Sequence, residues 1–242
     1  MSRAIGFAAW TSGVVNAHRV AKRVDTDLDS ADGKRRFIYR WSQGVFPLFG
    51  VALETEGRAP EGLGPYVVVA NHRSPLDILL CVHLVGGVVL SHDGVKRIPV
   101  IGDAAEYTDT IFVDRKDERS GATAIRALRR ALKENRNIIV FPEGSTFQGD
   151  EVRPFKRGAF AAARGLDVTV VPLGIAYEPG AEFKNESFRE HLLRMCARPR
   201  TPVQVTIGEP RGVPKTDADA ESLRVEVQAL VDRSAARRDK LR

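Results

Sequence analysis

The stretch VVVANHRSPLD, residues 67–77, is the most informative part of this 242-residue sequence. Small apolar residues run from Val67 to Ala70, a pattern typical of a strand that is buried on both faces of a sheet. At Asn71 the pattern stops, and a histidine, an arginine, a serine, a proline and an aspartate follow within six positions. This polar cluster is either a loop that begins a helix or the working end of an active site.

The spacing of His72 and Asp77 decides whether they can act together. They are five positions apart, and on a continuous helix their side chains would be rotated by about 140°. A continuous helix is disfavoured here, because Ser74 precedes a proline, whereas Pro75 suits the first helical position. We therefore expect a helix that begins at Pro75 with Ser74 as its N-cap. His72 then lies outside the helix, where a turn can fold its imidazole back over Asp77.

Two interpretations of this pair are open. In the functional one, Asp77 accepts a hydrogen bond from one ring nitrogen of His72 and leaves the other nitrogen as a general base. In the structural one, Asp77 only caps the helix, since Ser74-x-x-Asp77 also matches a capping box, and His72 is an ordinary loop residue. Serine-nucleophile chemistry is disfavoured, because the sequence has no G-x-S-x-G elbow. We predict no metal site, since metal-like spacing is absent among the other histidines, which are His18, His83, His92 and His191.

From residue 60 onward, short apolar runs alternate with amphipathic stretches. This alternation predicts an α/β fold with a largely parallel, mixed central sheet flanked by helices. The predicted strands are 66–70, 87–91, 110–113, 137–141, 168–172 and 203–207. The predicted helices are 120–135, 154–164 and 221–241. Because parallel strands bring their carboxyl ends to one edge of a sheet, we expect the polar residues that follow these strands to converge there.

The N-terminal part of the chain contains two uncharged, aromatic runs, at 4–17 and 41–53, which lie next to basic residues. An acidic segment at 25–32 joins them, so we predict an N-terminal helical segment over residues 1–58 and an α/β domain over residues 59–242. The first run is shorter than the ~20 apolar residues of a membrane-spanning helix. The hairpin lies either in a membrane surface or on the protein's own core. No secretory signal pattern is present.

The formal net charge of +6 at pH 7 favours a negatively charged partner, either nucleic acid, an anionic lipid or a phosphorylated substrate. Nucleic acid is the weakest of the three, because the sequence has no zinc-finger spacing, RNP-type aromatic motif or basic-region heptad. The simplest alternative is that the excess charge is solvated surface. Cys81 and Cys196 are far apart among apolar residues, so we expect reduced packing thiols, as in a cytosolic protein.

Four segments together resemble the glycerolipid acyltransferase family, which includes the 1-acylglycerol-3-phosphate acyltransferases. In NHRSPLD, His72 and Asp77 match the family's motif of a histidine, four residues and an aspartate. The other motifs follow in the family's order, as TIFVDR at 110–115, FPEGS at 141–145 and VTVVPLGIAY at 168–177. Each motif alone is weak, whereas four in register are specific.

The resemblance implies a reaction and a set of site residues. His72 would take the proton of a hydroxyl that attacks the thioester of acyl-CoA or acyl carrier protein, and Asp77 would stabilise the imidazolium. No acyl-enzyme and no cofactor are expected. The acceptor would be a membrane lysophospholipid, foremost 1-acyl-sn-glycerol-3-phosphate, which yields phosphatidic acid. The residues expected to bind substrate are Lys96, Arg115, Glu143, Gly144, Ser145, Thr146, Arg153 and Pro172. For Lys96 and Arg115, a plain surface position is the alternative.

One position departs from the family's pattern. Members that act on lysophosphatidic acid often carry Thr-Arg-Ser after the glycine, whereas this chain has Ser-Thr-Phe at 145–147. The positive charge could instead come from Arg153, Lys156 or Arg157. Alternatively, the acceptor is lyso-ornithine lipid or a lysophospholipid that carries a head group.

The resemblance also favours a membrane position for the N-terminal hairpin. Phe7, Trp10, Trp41 and Phe49 would be interfacial anchors, and nearby basic residues would meet anionic head groups. We therefore expect a peripheral or monotopic protein at the cytoplasmic face of the cell membrane, with no nucleic-acid partner. From a different class, a non-catalytic lipid-binding protein on the same scaffold is the alternative.

Overall fold

The computed structural model describes residues 2–60, 64–98, 101–107, 110–114 and 117–240. Within these ranges the strands are β1 (Val51–Glu56), β2 (Tyr66–Ala70), β3 (Val88–His92), β4 (Ile111–Val113), β5 (Ile138–Val140), β6 (Thr169–Tyr177), β7 (Thr201–Ile207) and β8 (Arg211–Gly212). The α-helices are α1 (Ser2–Ala21), α2 (Ala31–Leu48), α3 (Leu76–Leu84), α4 (Ile101–Tyr107), α5 (Glu118–Lys133), α6 (Phe188–Ala197) and α7 (Asp217–Asp239). Short 3-10 helices occur at Thr26–Asp29, Asp93–Arg97 and Arg157–Ala163.

The strands form one sheet in the order β1-β7-β6-β2-β5-β3-β4, and β8 pairs with β6. Strand β2 is central and runs parallel to both β5 and β6, with Val68 opposite Ile139 on one side and Val171 on the other. Only the pairings of β6 with β7 and β8 are antiparallel among the described strands. The predicted α/β fold with a largely parallel, mixed sheet is confirmed.

Strand β2 is buried on both faces, as its continuous apolar sequence predicts. Val68 and Ala70 belong to a cluster with residues of α1, α2, α3 and α6, whereas Val67 and Val69 belong to a cluster with residues of α5 and α7. Helices therefore cover both faces of the sheet, and the loop after β2 leaves the sheet between two packed layers.

Several helices begin at other residues than predicted, because their caps differ. Helix α5 begins at Glu118 with Asp117 as its N-cap, while the hydroxyl of Ser120 accepts a hydrogen bond from the Asp114 backbone. Helix α7 begins earlier than predicted, since Thr216 forms a capping box. The segment predicted as a helix over 154–164 forms a 3-10 helix that begins only at Arg157. Elements β1, β8, α4 and α6 were not predicted.

The N-terminal segment forms the predicted hairpin of two helices, and α2 ends one residue after Pro47. The predicted helical segment 1–58 differs from the structure at its end, because residues 51–56 form the edge strand β1, parallel to β7.

The predicted aromatic anchors of the hairpin divide into two kinds. Phe7 and Phe49 are only 6% and 3% exposed, and their ring centroids are 5.3 Å apart. Their prediction as interfacial anchors is therefore wrong, because the apolar stripe of the hairpin packs on the protein itself. Trp10 is exposed, and Trp41 is partly buried with its indole nitrogen donating to Thr11. Among the described helices, the combination of length and hydropathy needed to cross a bilayer is not found.

Candidate active site

His72 and Asp77 are in direct contact, as the Ser-Pro break between them predicts. The Nδ1 atom of His72 lies 2.8 Å from Oδ2 of Asp77. Helix α3 begins one residue later than predicted, at Leu76, with Pro75 at the N-cap position. The Ser74 hydroxyl accepts a hydrogen bond of 3.2 Å from the Leu76 backbone, and the imidazole lies outside the helix.

The carboxylate of Asp77 is fully buried and is hydrogen-bonded through both oxygens. Besides His72, the backbone N–H groups of Arg73 and Ser74 donate to Oδ2 over 2.5 and 2.8 Å. The Tyr177 hydroxyl donates to Oδ1 over 2.7 Å. Asp77 thus bonds to the backbone at the helix start and orients the histidine, so the two interpretations of the sequence do not exclude each other. These donors compensate the burial of the charge and fix the position of the carboxylate.

The contact with Asp77 determines which nitrogen of His72 can act as a base. A carboxylate only accepts, so Nδ1 carries the proton and Nε2 has the lone pair. The imidazole stacks on Phe141, with centroids 4.1 Å apart and planes at 17°. Within the described residues Nε2 has no hydrogen-bond partner, and His72 lines a cavity with its side chain 15% exposed. Burial, followed by the charge of Asp77, raises the pKa of Tyr177, which therefore stays a neutral hydroxyl donor.

A buried ion pair supports this loop from the other side. The Arg73 guanidinium donates to both carboxylate oxygens of Glu143, and Oε2 of Glu143 accepts the His72 backbone N–H over 2.6 Å. Arg73 also donates to the carbonyl groups of Gly149 and Glu151. Both charged side chains are buried, and Glu143 is not among the residues that line the cavity. The prediction that Glu143 shapes the acceptor pocket is therefore wrong, because its carboxylate is occupied in positioning the loop that carries His72.

The cavity beside His72 has a volume of about 880 Å³. It lies between the N-terminal hairpin, α3, α4, α6 and the sheet, and most of its lining is apolar. Representative apolar lining residues are Phe7, Ile38, Val45, Leu79, Val82, Ala104, Ile139, Leu192 and Met195. Such a cavity has the composition expected for a hydrocarbon chain.

Three predicted substrate-binding residues lie at this cavity. Gly144, Ser145 and Thr146 all line it, and Lys156 lines it with them. Gly144 adopts a left-handed φ of +73°, and a Cβ atom built there would approach Lys156 Nζ to 2.6 Å. The left-handed turn therefore favours glycine here, and a larger residue would also displace the end of the Lys156 side chain. Sequence reasoning named Lys156 only as one possible replacement for the missing arginine.

Three other predicted residues lie away from the cavity. Lys96 is exposed and its ammonium lies 5.9 Å from the Phe112 ring centroid, so the surface alternative fits it better. The Arg153 guanidinium pairs with Glu151 at 3.0 Å and is outside the lining. Pro172 is also outside it, because Val171 and Leu173 belong to the cluster on the cavity side and strand alternation turns Pro172 toward α7. Arg115 lies outside the described residues.

Tyr177 and Arg73 were missed as site residues by sequence reasoning. Tyr177 ends the segment 168–177. It is an even number of residues from Val171 and Ile175, so strand alternation would have placed it on the same face of the sheet. Nothing in the sequence around Arg73 indicates that it is buried. Among the described residues, His, Cys, Asp and Glu side chains form no cluster that could hold a metal ion.

Comparison with known proteins shows which family the chain resembles. The family described as Acyltransferase matches residues 51–176, more than half of the chain. A 1-acyl-sn-glycerol-3-phosphate acyltransferase of Neisseria meningitidis serogroup B is 27% identical over 68% of this chain, and the match spans 66% of that enzyme. A lyso-ornithine lipid O-acyltransferase of Pseudomonas aeruginosa is 28% identical over 94% of this chain and 86% of its own length.

The fold has a counterpart among solved structures. The crystal structure of a 1-acyl-sn-glycerophosphate acyltransferase from Thermotoga maritima superposes with a TM-score of 0.68 at 21% identity. The match covers 96% of this chain and 95% of that one, so the two share the whole architecture. With the family match over residues 51–176, these observations show that the chain belongs to the acyltransferase family.

Proposed function

We propose that this protein is an O-acyltransferase that moves a fatty acyl group from a thioester to the free hydroxyl of a lysophospholipid, foremost 1-acyl-sn-glycerol-3-phosphate. The observation that carries the proposal is the His72–Asp77 contact of 2.8 Å at an apolar cavity, with Nε2 of the imidazole unengaged by the described residues. The Neisseria relative, which is named for this reaction, supports the choice of acceptor.

The geometry supports direct transfer by general-base catalysis. Nε2 of His72 takes the proton of the acceptor hydroxyl as its oxygen forms a bond to the thioester carbonyl carbon. Asp77 stabilises the imidazolium that results, and the C–S bond then breaks as the thiolate leaves with that proton. The products are an ester and a free thiol. A serine nucleophile is not needed, because the histidine activates the attacking hydroxyl itself.

The cavity provides the two environments that the substrates require. Its apolar walls fit an acyl chain, whereas Lys156, beside Gly144, supplies a cation for the acceptor's phosphate. The donor would be acyl-CoA or an acylated acyl carrier protein.

We also propose that the protein takes its acceptor from the cytoplasmic surface of the cell membrane. The hairpin and the loop after α1 expose several large apolar side chains, which would contact lipid: Ile5, Trp10, Val20, Val24 and Tyr39. The basic side chains of α2 would meet anionic head groups.

A second acceptor, lyso-ornithine lipid, is favoured by one observation. The Pseudomonas relative named for that acceptor aligns with 94% of this chain, which has Ser-Thr-Phe after Gly144 in place of Thr-Arg-Ser and so lacks the expected arginine. A non-catalytic lipid-binding role is disfavoured, because binding alone does not need a buried carboxylate that orients a histidine.

An acceptor panel tests the proposal. The protein is incubated with one of two donors, acyl-CoA or an acylated acyl carrier protein, and with lysophosphatidic acid, lyso-ornithine lipid or lysophosphatidylcholine as acceptor. Both free thiol and acylated product are measured. We expect the fastest transfer to lysophosphatidic acid, and we expect Lys156→Ala to raise the KM for it about tenfold by loss of a charge-assisted hydrogen bond. The exposed Lys133 of α5 gives the control, Lys133→Ala, with no change. Thiol release that is absent with every acceptor and with both donor carriers would refute the proposal.

A further inference from the structure

The loop that carries the dyad is also bonded to the segment around α6. The Ser74 hydroxyl lies 3.0 Å from Nε2 of His191, and Nδ1 of His191 lies 3.0 Å from Oε1 of Glu186. The Phe183 backbone donates to the Arg73 carbonyl over 2.7 Å, next to Ser74. Ser74 and His191 are both buried, and an edge of the His191 side chain borders the cavity, whereas Ser74 does not line it. The proposed mechanism assigns no role to this chain of side chains.

The charges around Glu186 determine where the protons lie. Two N–H groups of Arg194 donate to the Glu186 carboxylate, and this contact is the main cause that lowers the pKa of Glu186 to about 2. Glu186 is therefore ionised and can only accept, so Nδ1 of His191 carries a proton. Nη2 of Arg194 also lies 3.0 Å from Nδ1, but its two hydrogens have nearer acceptors, which are Oε1 of Glu186 at 2.5 Å and the Glu182 carbonyl at 2.7 Å. Burial lowers the pKa of His191, so the ring is neutral and its Nε2 has a lone pair. The Ser74 hydroxyl consequently donates to Nε2.

Ser74 connects this histidine to the dyad. Its backbone N–H donates to Oδ2 of Asp77 over 2.8 Å, and its hydroxyl oxygen accepts from the Leu76 backbone over 3.2 Å. Because the hydroxyl donates its hydrogen to Nε2 of His191, its lone pairs face the backbone N–H of Leu76 at the start of α3. If Nε2 carried a proton, the hydroxyl would receive two donors, and its proton would turn to another acceptor. The Tyr177 hydroxyl, with which the Ser74 side chain also interacts, is one such group.

We propose that His191 is a positioning residue of the acyl-transfer site, which fixes Asp77, and through it His72, by accepting the Ser74 hydroxyl proton in a tautomer set by Glu186. This inference rests on the proposed function. Ser74, His191 and Glu186 have the sequence of contacts of a serine-hydrolase triad, but Ser74 is fully buried and is not among the residues that line the cavity. A thioester in the cavity therefore cannot reach its oxygen, and the chain of contacts orients the dyad instead.

Two substitutions of His191 separate positioning from simple packing. His191→Gln retains an amide oxygen that can accept from Ser74, whereas His191→Leu retains volume without an acceptor. We expect His191→Leu to lower kcat about tenfold with KM changed less than about twofold, and His191→Gln to retain kcat within about threefold. Leu193→Ala, at an exposed position of the same helix, is the control and leaves both constants unchanged. Equal kcat values for wild type and His191→Leu would overturn the proposal.

The protonation of the two ring nitrogens of His191 can be measured, and a change in packing alone would not alter it. In ¹⁵N NMR spectra of the full chain, we expect His191 to show a protonated Nδ1 and an unprotonated Nε2, and Glu186→Gln to shift the proton toward Nε2 and lower kcat. A protonated Nε2 in the wild type, or stoichiometric labelling of Ser74 by a fluorophosphonate, would overturn the assignment. Absence of acyl transfer by the wild type would refute the proposed function instead, and the NMR result would still decide the hydrogen-bond arrangement.

Discussion

The Tyr177 hydroxyl donates a hydrogen bond of 2.7 Å to Asp77, 100 residues earlier in the chain. Tyr177 ends β6 and Asp77 lies in the first turn of α3, so the bond joins the sheet to the helix that carries the dyad. The carboxylate is therefore oriented from the strand side by Tyr177 and from the loop side by the backbone of Arg73 and Ser74.

Tyr177→Phe removes only the hydroxyl and leaves Oδ1 of a buried carboxylate without this donor. We expect the free energy of unfolding to fall by about 1–3 kcal/mol and kcat to fall about tenfold. Urea denaturation and the acyl-transfer assay measure the two effects. Tyr39→Phe, at an exposed position of α2, is the matched control for the free energy of unfolding. A Tyr177→Phe protein with wild-type kcat would show that this bond does not support the dyad.

Glu143→Gln breaks the buried ion pair with Arg73. We expect a loss of about 3–5 kcal/mol of stability, since the guanidinium charge is then buried without its counter-charge. The pair of Arg153 and Glu151 is a suitable control, because its side chains are 43% and 69% exposed. Glu151→Gln should change the unfolding free energy by less than about 1 kcal/mol. Similar urea midpoints for the two variants would contradict a buried, structural ion pair.

Gly144→Ala and Gly149→Ala form a matched pair. Both glycines have a left-handed φ, of +73° and +78°, so each alanine costs about 1–2 kcal/mol of backbone strain. Only at Gly144 does the added methyl group meet a side chain, that of Lys156 at 2.6 Å, whereas the space around Gly149 is open within 4 Å. We expect both variants to lose stability and only Gly144→Ala to raise the acceptor KM, about tenfold, because it displaces the lysine. Equal KM values would argue against a role for Lys156.

Glu186 predicts an acid-sensitive contribution to stability. Its pKa is lowered from 4.5 to about 2 in the folded state, chiefly by Arg194. The unfolded chain therefore binds more protons between these values, and the contribution of Glu186 is complete above pH 4.5 and decreases as the pH falls toward 2. We expect Glu186→Gln to reduce the loss of stability between pH 6 and pH 3, measured by urea denaturation. Glu209→Gln, at an exposed position, should leave that loss unchanged.

The sequence was sufficient to predict the centre of the fold and the geometry of the dyad. The apolar run at 67–70 predicted β2, and the Ser74-Pro75 pair predicted that His72 would lie outside α3. Both inferences depend on residues that are close in the sequence, where chain geometry leaves few alternatives. The α/β class followed in the same way from the alternation of strands and helices.

The predictions that were wrong concern contacts between residues that are far apart in the sequence. Arg73 and Glu143 are 70 residues apart, and no local pattern indicates that two charged side chains will be buried together. The helical spacing of apolar residues in the hairpin indicated an apolar face but not the surface on which that face packs. Phe7 and Phe49 were therefore assigned to lipid, although they pack in the core. Pro172 was assigned to the site because it lies in a motif. The face of the sheet to which its side chain points depends instead on the register of β6 against β2.

The proposed acyl transfer depends on Nε2 of His72 acting as the base, and one measurement tests this most directly. The rate of free-thiol release from acyl-CoA with lysophosphatidic acid is compared for wild type and His72→Ala, at equal concentrations of protein shown to be folded by urea denaturation. We expect the variant to be slower by about 10²–10⁴-fold, the contribution of general-base catalysis, with an unfolding midpoint close to that of the wild type. A folded His72→Ala protein that releases thiol at the wild-type rate would contradict the mechanism.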